Sequence, residues 1–231
     1  MAFDADLSAV RSRPHAVLWD MDGTLCDTEP FWIESEFELA RRLGKEWTQE
    51  DALSLVGNDL LNSGEYIRRR WELDLTPRQV VDMLHDEVVD RVLSHDIPWR
   101  PGALDLLEEL NEAGVPCALV TMSWELFAHP IIERLPRGRF DAIITGDKVA
   151  RGKPFPDPYL DGAAALGVDA AHCVAIEDSN TGASSAEAAG CVVLTVPSHV
   201  AIAPGPRRIT RPSLAGVGLA DLADLFAQVE S

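Results

Sequence analysis

Two carboxylates, Asp20 and Asp22, leave the end of the apolar run Val17-Leu18-Trp19 and pass straight into Gly23. A buried strand that stops at Asp20 fixes the backbone there, and Gly23 permits the tight bend that turns Asp22 back towards it. Two acids held that close offer an oxygen nucleophile and ligands for a hard cation such as Mg2+, which a carboxylate needs beside it before it can meet a phosphate. Three further polar clusters follow apolar runs in the same way. Val115 to Val120 leads into Thr121-Met122-Ser123, Ala142-Ile143-Ile144 is followed by Gly152-Lys153-Pro154, and Cys173 to Ile176 leads into Glu177-Asp178-Ser179-Asn180.

Apolar runs of this length, set between helical stretches, read as buried parallel strands. An open parallel sheet gathers its ligands outside the carboxyl ends of its strands, so all four clusters should converge on one crevice. The expected fold is therefore α/β, a Rossmann-like parallel sheet. Its rhythm is interrupted between Asp27 and about Pro98, where every segment reads helical. Phe31, Ile33, Phe37 and Leu39-Ala40 recur before Gly44. Thr76-Pro77-Arg78-Gln79 is a capping box with Pro at the first helical position, and Val80-Val81, Leu84, Val88 and Val92 then return on one face. The expected organisation is a core of residues 1–27 and 98–231, with residues 28–97 inserted as a small helical cap domain. After Pro101 the core resumes as helix, strand and helix, and Ala203-Pro204-Gly205-Pro206 reads as a late loop.

In this order and at this spacing, Asp20-Met21-Asp22-Gly23-Thr24, Thr121, Lys153 and Glu177-Asp178 resemble the motifs of the haloacid dehalogenase superfamily of aspartate-nucleophile phosphotransferases. The strings Asp27-Thr28-Glu29-Pro30 and Gly152-Lys153-Pro154-Phe155-Pro156-Asp157-Pro158-Tyr159 are similar to the branch that holds sugar-phosphate phosphatases and β-phosphoglucomutase. The resemblance implies a Mg2+-dependent phosphatase that hydrolyses a small phosphorylated metabolite, a sugar phosphate, through an aspartyl-phosphate. It implies Asp20 as nucleophile, Asp22 as general acid and base, Thr121 on a phosphate oxygen with the Met122 amide beside it, and Lys153 bridging Asp20 and the phosphate. The implied Mg2+ ligands are the Asp20 carboxylate, the Asp22 backbone carbonyl and Asp178, with Glu177 as a further or water-mediated ligand.

Composition singles out Lys153 independently, because the chain uses 17 Arg but only three Lys. A compact ammonium in a Gly-Pro turn beside acids suits a point-charge bridge. The cap is expected to choose the substrate, with Trp32, Gly57 and Asn58 as candidate contacts; Asn58 either bonds a sugar hydroxyl or caps the next helix. Trp32 stands where the mutase branch usually carries His, which weighs against the alternative of a hexose-phosphate mutase. A catalytically inactive binding relative is the remaining alternative, disfavoured because every expected acid, Thr and Lys is present. A dehalogenase would need no Mg2+, and a phosphonatase would need a cap lysine, for which Lys45 is the only choice.

A net charge of −18 lacks the basic footprint that nucleic acid or an anionic membrane requires, so neither is an expected partner. The phosphorylated metabolite is the expected partner, for a monomer or small homo-oligomer. No leader-like apolar core or membrane span is present, and Cys26, Cys117, Cys173 and Cys191 show no metal or disulfide spacing. Buried, reduced thiols in a cytoplasmic protein are the expectation.

Overall fold

In the computed structural model, which describes residues 13–55, 59–198 and 200–230, alternation of side chains along each strand sets up the two sides of a sheet. The strands β1 (Ala16–Trp19), β2 (Cys117–Val120), β3 (Ala142–Ile144), β4 (Cys173–Glu177), β5 (Val192–Thr195) and β6 (Arg208–Thr210) pair in parallel in the order β3-β2-β1-β4-β5-β6. Val17, Trp19, Leu119, Ile176 and Leu194 face one way, onto Leu106, Leu107 and Leu110 of α5 (Ala103–Glu112) and Leu222, Leu225 and Phe226 of α9 (Leu219–Glu230). Ala16, Leu18, Ala118, Ala175 and Val193 face the other way, onto α7 (Asp157–Ala165) and α8 (Asn180–Ala188), which answer with Tyr159, Ala163, Ala183 and Ala186. Both faces of the sheet are therefore dry, as a parallel sheet requires. The winding direction reverses between β1 and β4, the place where such sheets open a crevice at their carboxyl ends.

Between β1 and α5 the regular elements among the described residues are helices: α1 (Glu29–Leu43), α2 (Gln49–Leu55), α3 (Leu60–Arg70) and α4 (Pro77–Ser94). The chain leaves and returns at one point. Asp27 N donates to Pro98 O and Arg100 N to Leu25 O, each at 2.9 Å. Thr76 and Gln79 form the expected capping box at the start of α4. At α3 the capping option considered for Asn58 falls to Asp59, whose carboxylate accepts from Leu61 N and Asn62 N; Gly57 and Asn58 lie outside the described residues. The strand β6, which follows the expected loop Ala203-Pro204-Gly205-Pro206 and was not anticipated, is short, partly exposed and at the sheet edge.

Helix α4 lies along α6 (Glu125–Ile132), fastened at both ends. The Arg78 guanidinium sits 3.9 Å over the Trp124 ring, and Arg134 Nη1 donates to His95 O at 2.7 Å and also to Val92 O. Between them His85 is wholly buried against Trp124 and Trp32 (5.1 and 5.7 Å between ring centroids), with neither ring nitrogen hydrogen-bonded. Trp32 also packs on Phe127 of α6 at 4.9 Å. All four cysteines are buried and unpaired, and no helix among the described residues is long and apolar enough to cross a membrane.

One buried acid in α1 carries a stability cost. Glu36 is 4 % exposed, and Trp47 Nε1 donates to it at 3.1 Å. Burial, opposed by that hydrogen bond and assisted by nearby Glu29, pushes its carboxyl from the ordinary 4.5 up to about 8. The native state thus holds a proton that the unfolded chain has lost, so stability falls as pH rises from the unfolded value through about 8 and is level above it. Glu36→Gln should remove this slope, with a gain above pH 8 of at most about 5 kcal/mol and little gain at pH 4 to 5. Thermal unfolding at both ends of that range is the check; an equal gain at both would show that titration is not its source.

Candidate active site

Backbone geometry comes first. After β1, Asp20 N donates to Ile176 O at 3.0 Å, and the Met21 carbonyl then accepts from Thr24, Leu25 and Cys26 in one tight loop. Gly23 sits at φ +85°, and a Cβ there would fall 1.9 Å from Asp178 Oδ2. Glycine at this position both permits the turn and leaves the space in which the Asp178 carboxylate lies.

The four clusters meet at the carboxyl ends of β1, β2 and β4. Lys153 Nζ donates to Asp20 Oδ1 at 2.7 Å and to Glu177 Oε1 at 2.6 Å, with 5 % of its side chain exposed. Asp20 Oδ2 is buried with no hydrogen-bond partner. Carboxylate oxygens of Asp20, Glu177 and Asp178 lie within 4.8 Å of one another. Asp22, on the other side of the turn, receives three hydroxyls: Ser123 Oγ at 2.7 Å and Thr121 Oγ1 at 3.3 Å on Oδ2, and Thr28 Oγ1 on Oδ1. Thr121 Oγ1 in turn accepts from Ser123 N at 3.0 Å. Met122 contributes its sulfur, which accepts from Lys153 N at 3.4 Å and braces the Lys153 loop.

Electrostatics follow from burying three acids around one ammonium. Burial and the neighbouring carboxylates raise Asp20 and Asp178, against the pull of Lys153. Burial also raises Asp22, opposed by its three hydroxyl donors. For Lys153, burial alone would favour the neutral amine, but Asp20 and Glu177 outweigh it and hold the group above its ordinary value. The cluster is short of positive charge, its donors are all oxygen, and Asp20 keeps an open oxygen. Those features fit a hard divalent cation such as Mg2+.

Asp20, Asp22, Thr121, Met122, Lys153, Glu177 and Asp178 are thus brought together. Trp32 lies one turn into α1 beyond Thr28 and packs on Phe127 and His85. The sequence reading assigned no role to Thr28, Ser123 or Tyr159. Thr28 occupies the N-cap of α1 yet makes no capping bond, its hydroxyl being turned onto Asp22, so in sequence it reads as an ordinary helix cap.

A family profile described as haloacid dehalogenase-like hydrolase matches residues 17–196. Hexitol phosphatase B of Escherichia coli K12 is 31 % identical over 224 residues, covering 92 % of this chain and 95 % of that one. A phosphorylated carbohydrates phosphatase of Thermotoga maritima is 31 % identical over 176 residues, 76 % of this chain and 81 % of the relative. The crystal structure of CbbY from Rhodobacter sphaeroides in complex with phosphate superposes with a TM-score of 0.77 at 30 % identity, covering 90 % of this chain and 99 % of that one. The profile runs from β1 past β5 and takes in every strand end that builds the crevice, and on that evidence the chain belongs to the haloacid dehalogenase-like hydrolases.

Proposed function

We propose that the protein is a Mg2+-dependent phosphatase of a small sugar or polyol phosphate, working through an aspartyl-phosphate on Asp20. The observation that carries this reading is the state of Asp20. One oxygen is held by Lys153, the other is buried without a hydrogen-bond partner, and Asp22 stands across the turn on three hydroxyl donors. One Asp20 oxygen attacks phosphorus, and the bond from phosphorus to the ester oxygen breaks. Asp22, its proton favoured by burial, passes that proton to the leaving oxygen. Asp22 then takes a proton from the water that attacks phosphorus, which releases phosphate and restores Asp20. Lys153 holds positive charge against Asp20 and the phosphate throughout. Mg2+, held by Asp20, Asp178 and the Asp22 carbonyl, would supply neutralising charge between carboxylates and phosphate. Glu177, already engaged by Lys153, anchors the ammonium.

Residues 28–97 serve in this reading as a cap over the crevice, and its two crossings run side by side at Asp27 and Pro98. Closure of such a cap would exclude bulk water and shape the space for the leaving group. The names of the relatives, hexitol phosphatase and phosphorylated carbohydrates phosphatase, support a sugar or polyol leaving group. A mutase would have to retain a bisphosphate. The first cap helix carries no basic residue from Asp27 up to Arg41, and Arg78 is seated on Trp124. The test is phosphate release from a panel of sugar and polyol phosphates, with Mg2+ and with chelator, and β-glucose 1-phosphate primed with glucose 1,6-bisphosphate. Chelator-sensitive phosphate release is the expected result. Glucose 6-phosphate formed faster than phosphate would establish the mutase instead.

A further inference from the structure

Tyr159 is fully buried on α7, within the same loop-and-helix segment as Lys153. Its hydroxyl donates to Glu177 Oε1 at 2.7 Å, the oxygen that also accepts from Lys153 Nζ at 2.6 Å. Its ring centroid lies 5.1 Å from the same ammonium. Glu177 Oε2 is occupied as well, by Asp178 N at 3.2 Å, Ser179 N at 3.3 Å and Ser179 Oγ at 3.0 Å. An ionised carboxylate offers about four lone-pair sites, so these donors saturate it. A Cβ on Gly182 would fall within 1.8 to 2.2 Å of its oxygens and carboxyl carbon, so glycine at that point of α8 leaves the space in which the carboxylate lies. Tyr159 stands on the side of Glu177 that faces Lys153.

A buried phenol needs an acceptor wherever it lies, and most such contacts are packing. Here the shared acceptor is the counter-ion of Lys153. We propose that Tyr159 is a positioning residue: its hydroxyl holds Glu177 Oε1 on Lys153, and thereby holds the ammonium on Asp20 Oδ1. The inference rests on the reading of Asp20 and Lys153 as the reacting pair. Without the hydroxyl, Glu177 Oε1 has one donor fewer, the carboxylate gains freedom to turn, and Lys153 is less well fixed where charge must be met.

Tyr159→Phe keeps the ring and removes only the donor. With an ester that the wild type hydrolyses, kcat should fall about tenfold, as loss of one hydrogen bond to a charged group predicts, while KM changes less than twofold. Calorimetric titration of the metal-free variant with Mg2+ should give a Kd no weaker than wild type, because no cation ligand is removed. A double-mutant cycle with Glu177→Gln should be non-additive, the second substitution adding little once the first is present. If Tyr159→Phe does not fold, Glu177→Gln alone should reproduce the loss in kcat at near-constant KM. Unchanged kcat in the variants that fold, additive losses, or Mg2+ binding weakened tenfold would each overturn the role. A wild type inert on every phosphate ester would overturn the phosphatase reading and this inference with it, whereas an active wild type with an indifferent Tyr159→Phe overturns this inference alone.

Discussion

Asp20→Asn should lower phosphate release by roughly 10^4-fold or more, the scale on which removing a covalent nucleophile is felt. The amide is close in size to the carboxylate, so the fold has no reason to change. It has no anionic oxygen to attack phosphorus, and its NH2 group, if turned towards Lys153, would place donor against donor where Asp20 Oδ1 now accepts at 2.7 Å. The same substitution removes one of three acids crowded at the strand ends, where burial first, and then the charges of Glu177 and Asp22, raise Asp20 above its ordinary range against the pull of Lys153. Metal-free Asp20→Asn should therefore melt no lower than the wild type while losing turnover, a combination that damage to the fold cannot produce. Trapping with a beryllium fluoride phosphate mimic should succeed in the wild type and fail in the variant. Wild-type turnover by Asp20→Asn would remove the nucleophile from Asp20.

Asp22→Asn should fail by a different route, losing about 10^2- to 10^4-fold with an ordinary sugar phosphate, the usual range for a proton-transfer group. The amide oxygen can still accept from Thr121 and Ser123, and its NH2 can donate to the Thr28 oxygen once that hydroxyl turns, so its place is kept while its proton chemistry is gone. An ester with a good leaving group needs no proton for the first step. With such a substrate, rapid-quench kinetics should show a burst of about one equivalent and then a stall, because the water that ends the cycle lacks its base. Steady turnover without a burst, at the wild-type rate, would dismiss Asp22 from both proton transfers.

Much of this architecture is readable from the chain because its chemistry sits where strands stop. A buried strand announces itself by an apolar run, and the next polar residues must lie at the sheet's edge; Asp20, Thr121 and Glu177-Asp178 follow that rule, and β1, β2 and β4 end there. Helix ends were readable for a similar reason, since Thr76 and Gln79 satisfy backbone donors by local contacts. What stayed hidden depends on contacts between side chains of different elements. Ser123 and Thr28 reach Asp22 from different elements, and Tyr159 meets Glu177 across a helix-to-strand interface. In sequence each looks like an ordinary buried hydroxyl. Short edge strands are hidden too: β6 has three residues, and its partly exposed side chains give no apolar run.

Glu177 takes hydrogen bonds from an ammonium, a phenol, a serine hydroxyl and two backbone amides, in space that the missing side chain of Gly182 leaves for it. Those dipoles were aligned when the chain folded. In water, a shift of charge is followed by the slow and costly turning of solvent molecules; in this crevice the partners already point the right way, and the reorganisation energy of each step has been met in advance by folding.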